Sequence, residues 1–151
     1  MYPDERVARF ITDNFIAARV HVRDQAGDFV RFGERFNAQW TPTILELDPD
    51  GVERHRIEGY LPADDFLGQL TLGLGHMAFK RGDFGEAEKR FREVVDKLPR
   101  SDAAAEALYW AGVSRYKKSG DASALGETAH AFKQRYTDSP WAKKASVWGA
   151  A

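Results

Sequence analysis

The residue types that carry most enzymatic chemistry are missing from this sequence or scattered through it. No cysteine occurs among the 151 residues, which excludes disulfides, zinc–thiolate sites and cysteine nucleophiles. The four histidines, His21, His55, His76 and His130, show no metal-ligand spacing, and solvated or edge positions outweigh a metal site. His21 and His55 could meet across a small sheet. Asp48, Asp50 and Glu53 invite a calcium reading, but a calcium loop alternates ligands over about twelve residues with a glycine at the sixth. Here only Asp48-Pro49-Asp50-Gly51 exists, and it reads as a hairpin turn. Gly73 and Gly75 lie inside a helical pattern and not after a strand, so they form no phosphate loop. No serine stands in a nucleophile elbow. Asp64 and Asp65 open a helix, where backbone amides and the helix dipole satisfy them. The expectation is a chain with no catalytic residue, no metal and no cofactor.

Composition narrows the class further. Twenty-two basic side chains nearly balance 23 acidic ones, a poor footprint for nucleic acid, which asks for a basic face. Lys143 and Lys144 read as a solvated helix face. Hydrophobic residues at 43% place the chain among globular proteins. At this length a fold buries roughly 70% of its unfolded surface, so a sizeable core is available. Apolar runs are only a few residues long, too short to span a membrane. The start, Met1-Tyr2-Pro3-Asp4-Glu5, is acidic and unlike a secretory signal. A soluble, cytoplasmic protein is expected.

Two different grammars position these residues. Val7, Ala8, Phe10, Ile11 and Phe15 recur at helical spacing from Asp4 to Asn14, with Asp4 as N-cap. Phe15 to Val22 reads as a strand with Val20 and Val22 on one face. Phe29 to Phe36 suggests a short helix, Thr43 to Leu47 a strand, and Val52 to Tyr60 another beyond the turn at Asp48. That order is α/β grammar. After Pro62 only helices follow, over 64–80, 84–98, 103–118 and 124–136, broken at Gly82-Asp83, Pro99 to Asp102 and Gly120-Asp121. Ser139 and Pro140 open a last short helix as N-cap and first helical residue. Helix 64–80 closes the first part and starts the second. Charges at Glu86, Glu88, Lys89, Arg90, Arg92 and Glu93 form a solvated, paired face.

The helical part resembles a pair of TPR units, in which about 34 residues pack two antiparallel helices through small residues. Gly75, Ala78, Gly82-Asp83, Ala87, Phe91 and Pro99 carry the first copy, and Tyr109, Trp110, Gly112, Tyr116, Gly120-Asp121, Phe132 and Pro140 the second. The glycines lie 37 residues apart and the prolines 41, so the second copy is long, with an extended turn expected at Ser119 to Ser123. The wording around Ala107–Gly112 and Tyr136–Ala142 looks like the longer TPR variants of bacterial assembly proteins. Two units fall short of the three or so that a solenoid needs, and packing against the first part would supply a cap. The resemblance implies a concave face that binds a peptide or protein partner. Phe79, Tyr109, Trp110 and Tyr116 are the partner-binding candidates, although for most of these rings inter-helix packing is the plainer reading.

Trp40-Thr41-Pro42-Thr43-Ile44, the strand and turn after it, and Gly59-Tyr60 resemble the back of a thioredoxin-superfamily domain. That resemblance runs from Tyr2 to about Leu74 and implies a cis peptide bond at Thr41-Pro42. It also implies a strand and Cys-x-x-Cys turn ahead of Tyr2, between the strands at Ala17–Val22 and Thr43–Leu47. Both thiols are absent, so the family's redox activity does not carry over. The two strands must then pair directly as a right-handed βαβ unit or leave open edges, which favour self-association. Either the native chain is longer at its N-terminus, or the short form pairs with itself or a partner.

The expected architecture is therefore α/β plus all-α: an incomplete thioredoxin-like unit over 1–67, then TPR-like antiparallel hairpins with a capping helix over 68–151. The expected function is a non-catalytic interaction module, not an enzyme, with a possible homodimer. The competing reading is a fragment of a thioredoxin-family thiol–disulfide oxidoreductase.

Overall fold

The computed structural model describes residues 3–149, so Met1, Tyr2, Ala150 and Ala151 lie outside it, among them Tyr2, where the resemblance noted in the sequence begins. The chain divides into two compact units, Met1–Leu67 and Gly68–Ala151.

In the first unit, helix α1 (Glu5–Asn14) starts where Asp4 accepts a hydrogen bond from the Arg6 amide at 2.8 Å. The Arg6 guanidinium returns to the Asp4 carboxylate at 2.7 Å, and this contact holds the Asp4 carboxyl below its usual range. A second arm of Arg6 reaches Asp64 at 2.9 Å, in the first turn of α3 (Ala63–Lys80). Helix α2 (Ala26–Phe36) stops at Asn37, whose φ of 50° is left-handed. Strands β1 (Thr43–Leu47) and β2 (Glu53–Glu58) then form an antiparallel hairpin.

The Asp48 carboxylate builds the hairpin turn. It accepts from the Asp50 and Val52 amides at 2.9 and 3.0 Å and pairs with Arg54 at 2.7 Å, while Gly51 supplies the positive φ of 77°. The carboxylate thus serves the hairpin turn expected from the sequence. Paired positions share a face, so Ile44, Glu46, His55 and Ile57 lie on one side and Leu45 and Arg56 on the other. Arg56 binds Glu53 and Glu58 and donates to the Phe36 and Asn37 carbonyls, joining β2 to the end of α2.

One expected element is absent. Phe15–Val22 forms no strand, and the sheet among the described residues is β1 and β2 alone. The backbone leaves α1 extended at Phe15 (φ −135°, ψ 154°), Ile16 is fully exposed, and the chain turns at His21. There the imidazole Nδ1 accepts from the Arg23 and Asp24 amides. His21 therefore never reaches the sheet, and its expected meeting with His55 does not occur. The physical reason is that a strand exists only through a neighbour's hydrogen bonds. Direct pairing of Phe15–Val22 with β1 does not occur, and among the described residues the second edge of β1 carries no strand.

The second unit contains the rest of α3, then α4 (Phe84–Lys97), α5 (Ala104–Ser119), α6 (Ser123–Gln134), α7 (Pro140–Ala145) and a 3-10 turn (Ser146–Gly149). Asp83 caps α4 and Ser139 caps α7. Leu72, Ala78, Ala87, Phe91, Val94, Val95, Ala103, Ala104, Ala107 and Ala111 form a continuous core. Two glycines let helices approach closely. A Cβ on Gly75 would fall 2.5 Å from the Phe91 ring, and one on Gly112 would fall 2.0 Å from Thr128 Oγ1. The expected long turn at Ser119–Ser123 is not found: α5 and α6 are joined by three residues, as are α3 and α4. The additional length lies in α5 beyond Gly112 and in the stretch between the start of α6 and Pro140. Helical hydrogen bonding is cheaper to extend than a loop that must order its own backbone groups.

Candidate functional site

Three of the four partner-binding candidates come together in one run of rings. Phe79, on α3, meets Phe84 at 5.1 Å and Trp110 of α5 at 5.3 Å, both edge-on. Trp110 meets Tyr109 at 5.5 Å, and Tyr109 stacks on Trp148 at 4.7 Å with Trp141 at 5.2 Å. Edge-to-face and offset contacts at these separations are favourable beyond the area they bury. Phe79, Tyr109 and Trp110 are only half-buried, so each both ties helices together and keeps an accessible edge. Tyr116 stands apart, in the last turn of α5, 36% exposed and flanked by Lys117 and Lys118.

Cations border the ring run. Lys117 lies 5.5 Å over Phe84 and Lys144 lies 3.9 Å over Trp141. His76 is half-buried, not solvated: it packs edge-on against Phe91 and Trp110 at 5.2 and 5.4 Å and pairs with Glu106 at 3.1 Å. Trp110 Nε1 and Ser114 Oγ, one helical turn apart on α5, are buried without a hydrogen-bond partner. Trp141, Trp148 and the His76–Glu106 pair were missed by sequence reasoning. The tryptophans' seven-residue spacing, two helical turns, was the available signal.

The α/β unit holds the other candidates. Thr41-Pro42 is a cis peptide bond, and the Pro42 carbonyl accepts from the Gly59 amide at 2.8 Å. Thr43 Oγ1 donates to the Trp40 carbonyl at 2.6 Å, and Trp40 and Tyr60 are both exposed. The unexpected residue is Glu46. It is 3% exposed, neither carboxylate oxygen has a hydrogen-bond partner, and burial pushes its carboxyl up to about 9. A charged residue inside the apolar run Ile44-Leu45-Glu46-Leu47 was the signal for it.

No group of three or more metal-ligating side chains occurs among the described residues, and the chain has no thiol. No described helix is long and apolar enough to cross a membrane. Residues 2–73 match the family described as a thioredoxin-like domain. Searches of curated proteins and of solved structures return no match.

Proposed function

We propose that this chain, with a cysteine-free thioredoxin-like domain ahead of TPR-like helical hairpins, is a non-catalytic interaction module that binds a peptide or protein partner. The observation that carries the reading is the half-exposed row Phe79, Trp110 and Tyr109, on α3 and α5, bordered by Lys117 and Lys144, with Tyr116 exposed separately in the last turn of α5. Large rings with accessible edges offer contact area at little cost in side-chain entropy, and tyrosine and tryptophan dominate binding energy where partners meet. Tyr116 is the favoured contact, because its ring is not committed to another ring. The TPR-like assignment is supported by the close approaches at Gly75 and Gly112 and by left-handed Gly82 and Gly120 at the matching turns.

A peptide library displayed on phage, selected against the purified chain, tests the reading. Selected peptides are expected to bind with micromolar constants and to lose about tenfold or more against Tyr116→Ala. Peptides that bind Tyr116→Ala and Trp110→Ala as well as the parent would overturn it.

The second reading, a fragment of a thioredoxin-family oxidoreductase, is favoured by the match over residues 2–73 and by the Thr41-Pro42 loop. Intact mass and thiol count of the protein from its source cells separate the two. A mass above 17.0 kDa with free thiols favours the oxidoreductase, and 17.0 kDa without thiols favours the module.

A further inference from the structure

Two features of the α/β unit are unfilled, and each has the chemistry to fill the other. The first is the free edge of β1. The Gly59 amide donates to the Pro42 carbonyl, which marks a bonded pair in the antiparallel ladder. Bonded pairs alternate, so Ile44 and Glu46 spend their backbone groups on β2, while Thr43 and Leu45 turn theirs to the opposite edge. No strand lies there among the described residues. On the same strand, the buried Glu46 carboxyl has no partner.

The second feature is Phe15–Val22. It has the composition of a strand, leaves α1 in extended geometry and exposes Ile16, Ala17, Ala18 and Arg19. Arg19 makes no hydrogen bond or ion pair among the described residues. Within one chain the segment and the edge do not pair.

We propose that they pair between two copies: Phe15–Val22 of one chain adds to the free β1 edge of a second, and the reciprocal addition closes a two-fold dimer. Each chain has one such segment and one such edge, so the reciprocal exchange uses both and closes as a pair. Charge sets the register. Phe15, Ala17, Arg19 and His21 share a face, and aligning that face with Ile44 and Glu46 brings the Arg19 guanidinium beside the Glu46 carboxyl. A slip of one residue would set Ala18 or Val20 there and leave the carboxyl unpaired.

The cysteine-free background makes the test direct. Sedimentation at about 100 µM, where a micromolar constant leaves a chain mostly paired, is expected to give twice 17.0 kDa. Ala18→Pro, at an exposed position, is expected to return the mass to 17.0 kDa with an unchanged circular dichroism spectrum. A mixture of Arg19→Cys and Glu46→Cys chains is expected to form a disulfide joining one chain of each kind. A parent chain that sediments as a monomer, or a dimer that survives Ala18→Pro, would overturn the proposal. So would an internal disulfide within a single chain carrying both cysteines, because the segment would then pair with its own β1.

Discussion

The helical unit and the α/β unit are of similar length, yet they are built to different degrees of closure. In the helical unit ten core residues pack continuously, two glycines admit side chains that a Cβ would exclude, and Asp83 and Ser139 cap their helices. In the α/β unit the buried apolar side chains among the described residues are few, Val7, Ile57, Phe66 and Leu67, and a carboxyl without a partner lies among the buried residues. Among the described residues its sheet has two strands, which alone are marginal in water. The difference follows from the range of the bonds. A helix satisfies its backbone within four residues and asks its neighbours only for packing. A strand depends on another strand, so an element without a partner leaves both an edge and a face unfinished.

The largest expected effect breaks the closed side of the comparison. Phe91→Ala empties the middle of the helical core and should cost about 3–5 kcal/mol, read by chemical denaturation. Gly112→Ala should cost about 1–3 kcal/mol, because the new methyl meets Thr128. Thr128→Ala in the same chain should recover part of that loss. If Gly112→Ala alone is neutral, the close approach does not constrain the fold.

The next effect exposes the unfinished side. Glu46 has its folded carboxyl raised to about 9, above the ordinary value of 4.5 that the unfolded chain keeps. The folded state therefore holds the proton more tightly. Its contribution to stability is present in full below about pH 4.5 and is lost as the pH rises towards 9. In solution dilute enough to keep the chain monomeric, where Arg19 of a second copy does not reach the carboxyl, denaturation of the α/β unit is expected to become easier between about pH 5 and 9, with Glu46→Leu removing most of that slope. At pH 8 the leucine variant should gain about 2–4 kcal/mol, given about 1.4 kcal/mol for each tenfold difference in proton affinity between the folded and unfolded chain. Parallel pH profiles for parent and variant would mean that the carboxyl finds a partner in solution.

What the sequence made legible follows the same division. Asp4, Ser139 and Pro140 act at short range, and their capping roles were readable because the groups they satisfy lie two or three residues away. Asp48 was readable as a turn for the same reason. Phe15–Val22 was misread because alternation of side chains says that a segment can be a strand and not that anything is there to bond it. Glu46 stands out only as a charge inside an apolar run, and its burial was not readable from that alone, because a strand face is covered by elements distant in sequence. In the helical unit Phe79, Tyr109 and Trp110 were picked out as rings and meet one another directly, whereas the extension of the run through Trp141 and Trp148 comes from the far end of the chain.

A smaller effect separates binding from stability. Tyr116→Ala should leave the stability of the helical unit within about 0.5 kcal/mol of the parent, since the ring is exposed and touches no other ring. Its effect belongs to partner affinity. A loss of stability comparable to Phe91→Ala would instead make Tyr116 part of the core.

The smallest effect asks how far closure extends along the helical unit. Ser139 accepts from the Ala142 amide at 3.1 Å and caps α7, so Ser139→Ala should cost about 1 kcal/mol. Four tryptophans provide local reporters: Trp40 lies in the α/β unit, while Trp110, Trp141 and Trp148 lie in the helical unit. With fluorine-labelled tryptophan each gives its own resonance. Because Tyr109 packs against Trp141 and Trp148, α7 is tied into the ring run that also holds Trp110. The cap substitution should therefore shift the melting of all three helical reporters together and leave Trp40 unchanged. A shift confined to Trp141 and Trp148 would mean that α7 frays independently and that cooperative packing ends with α6.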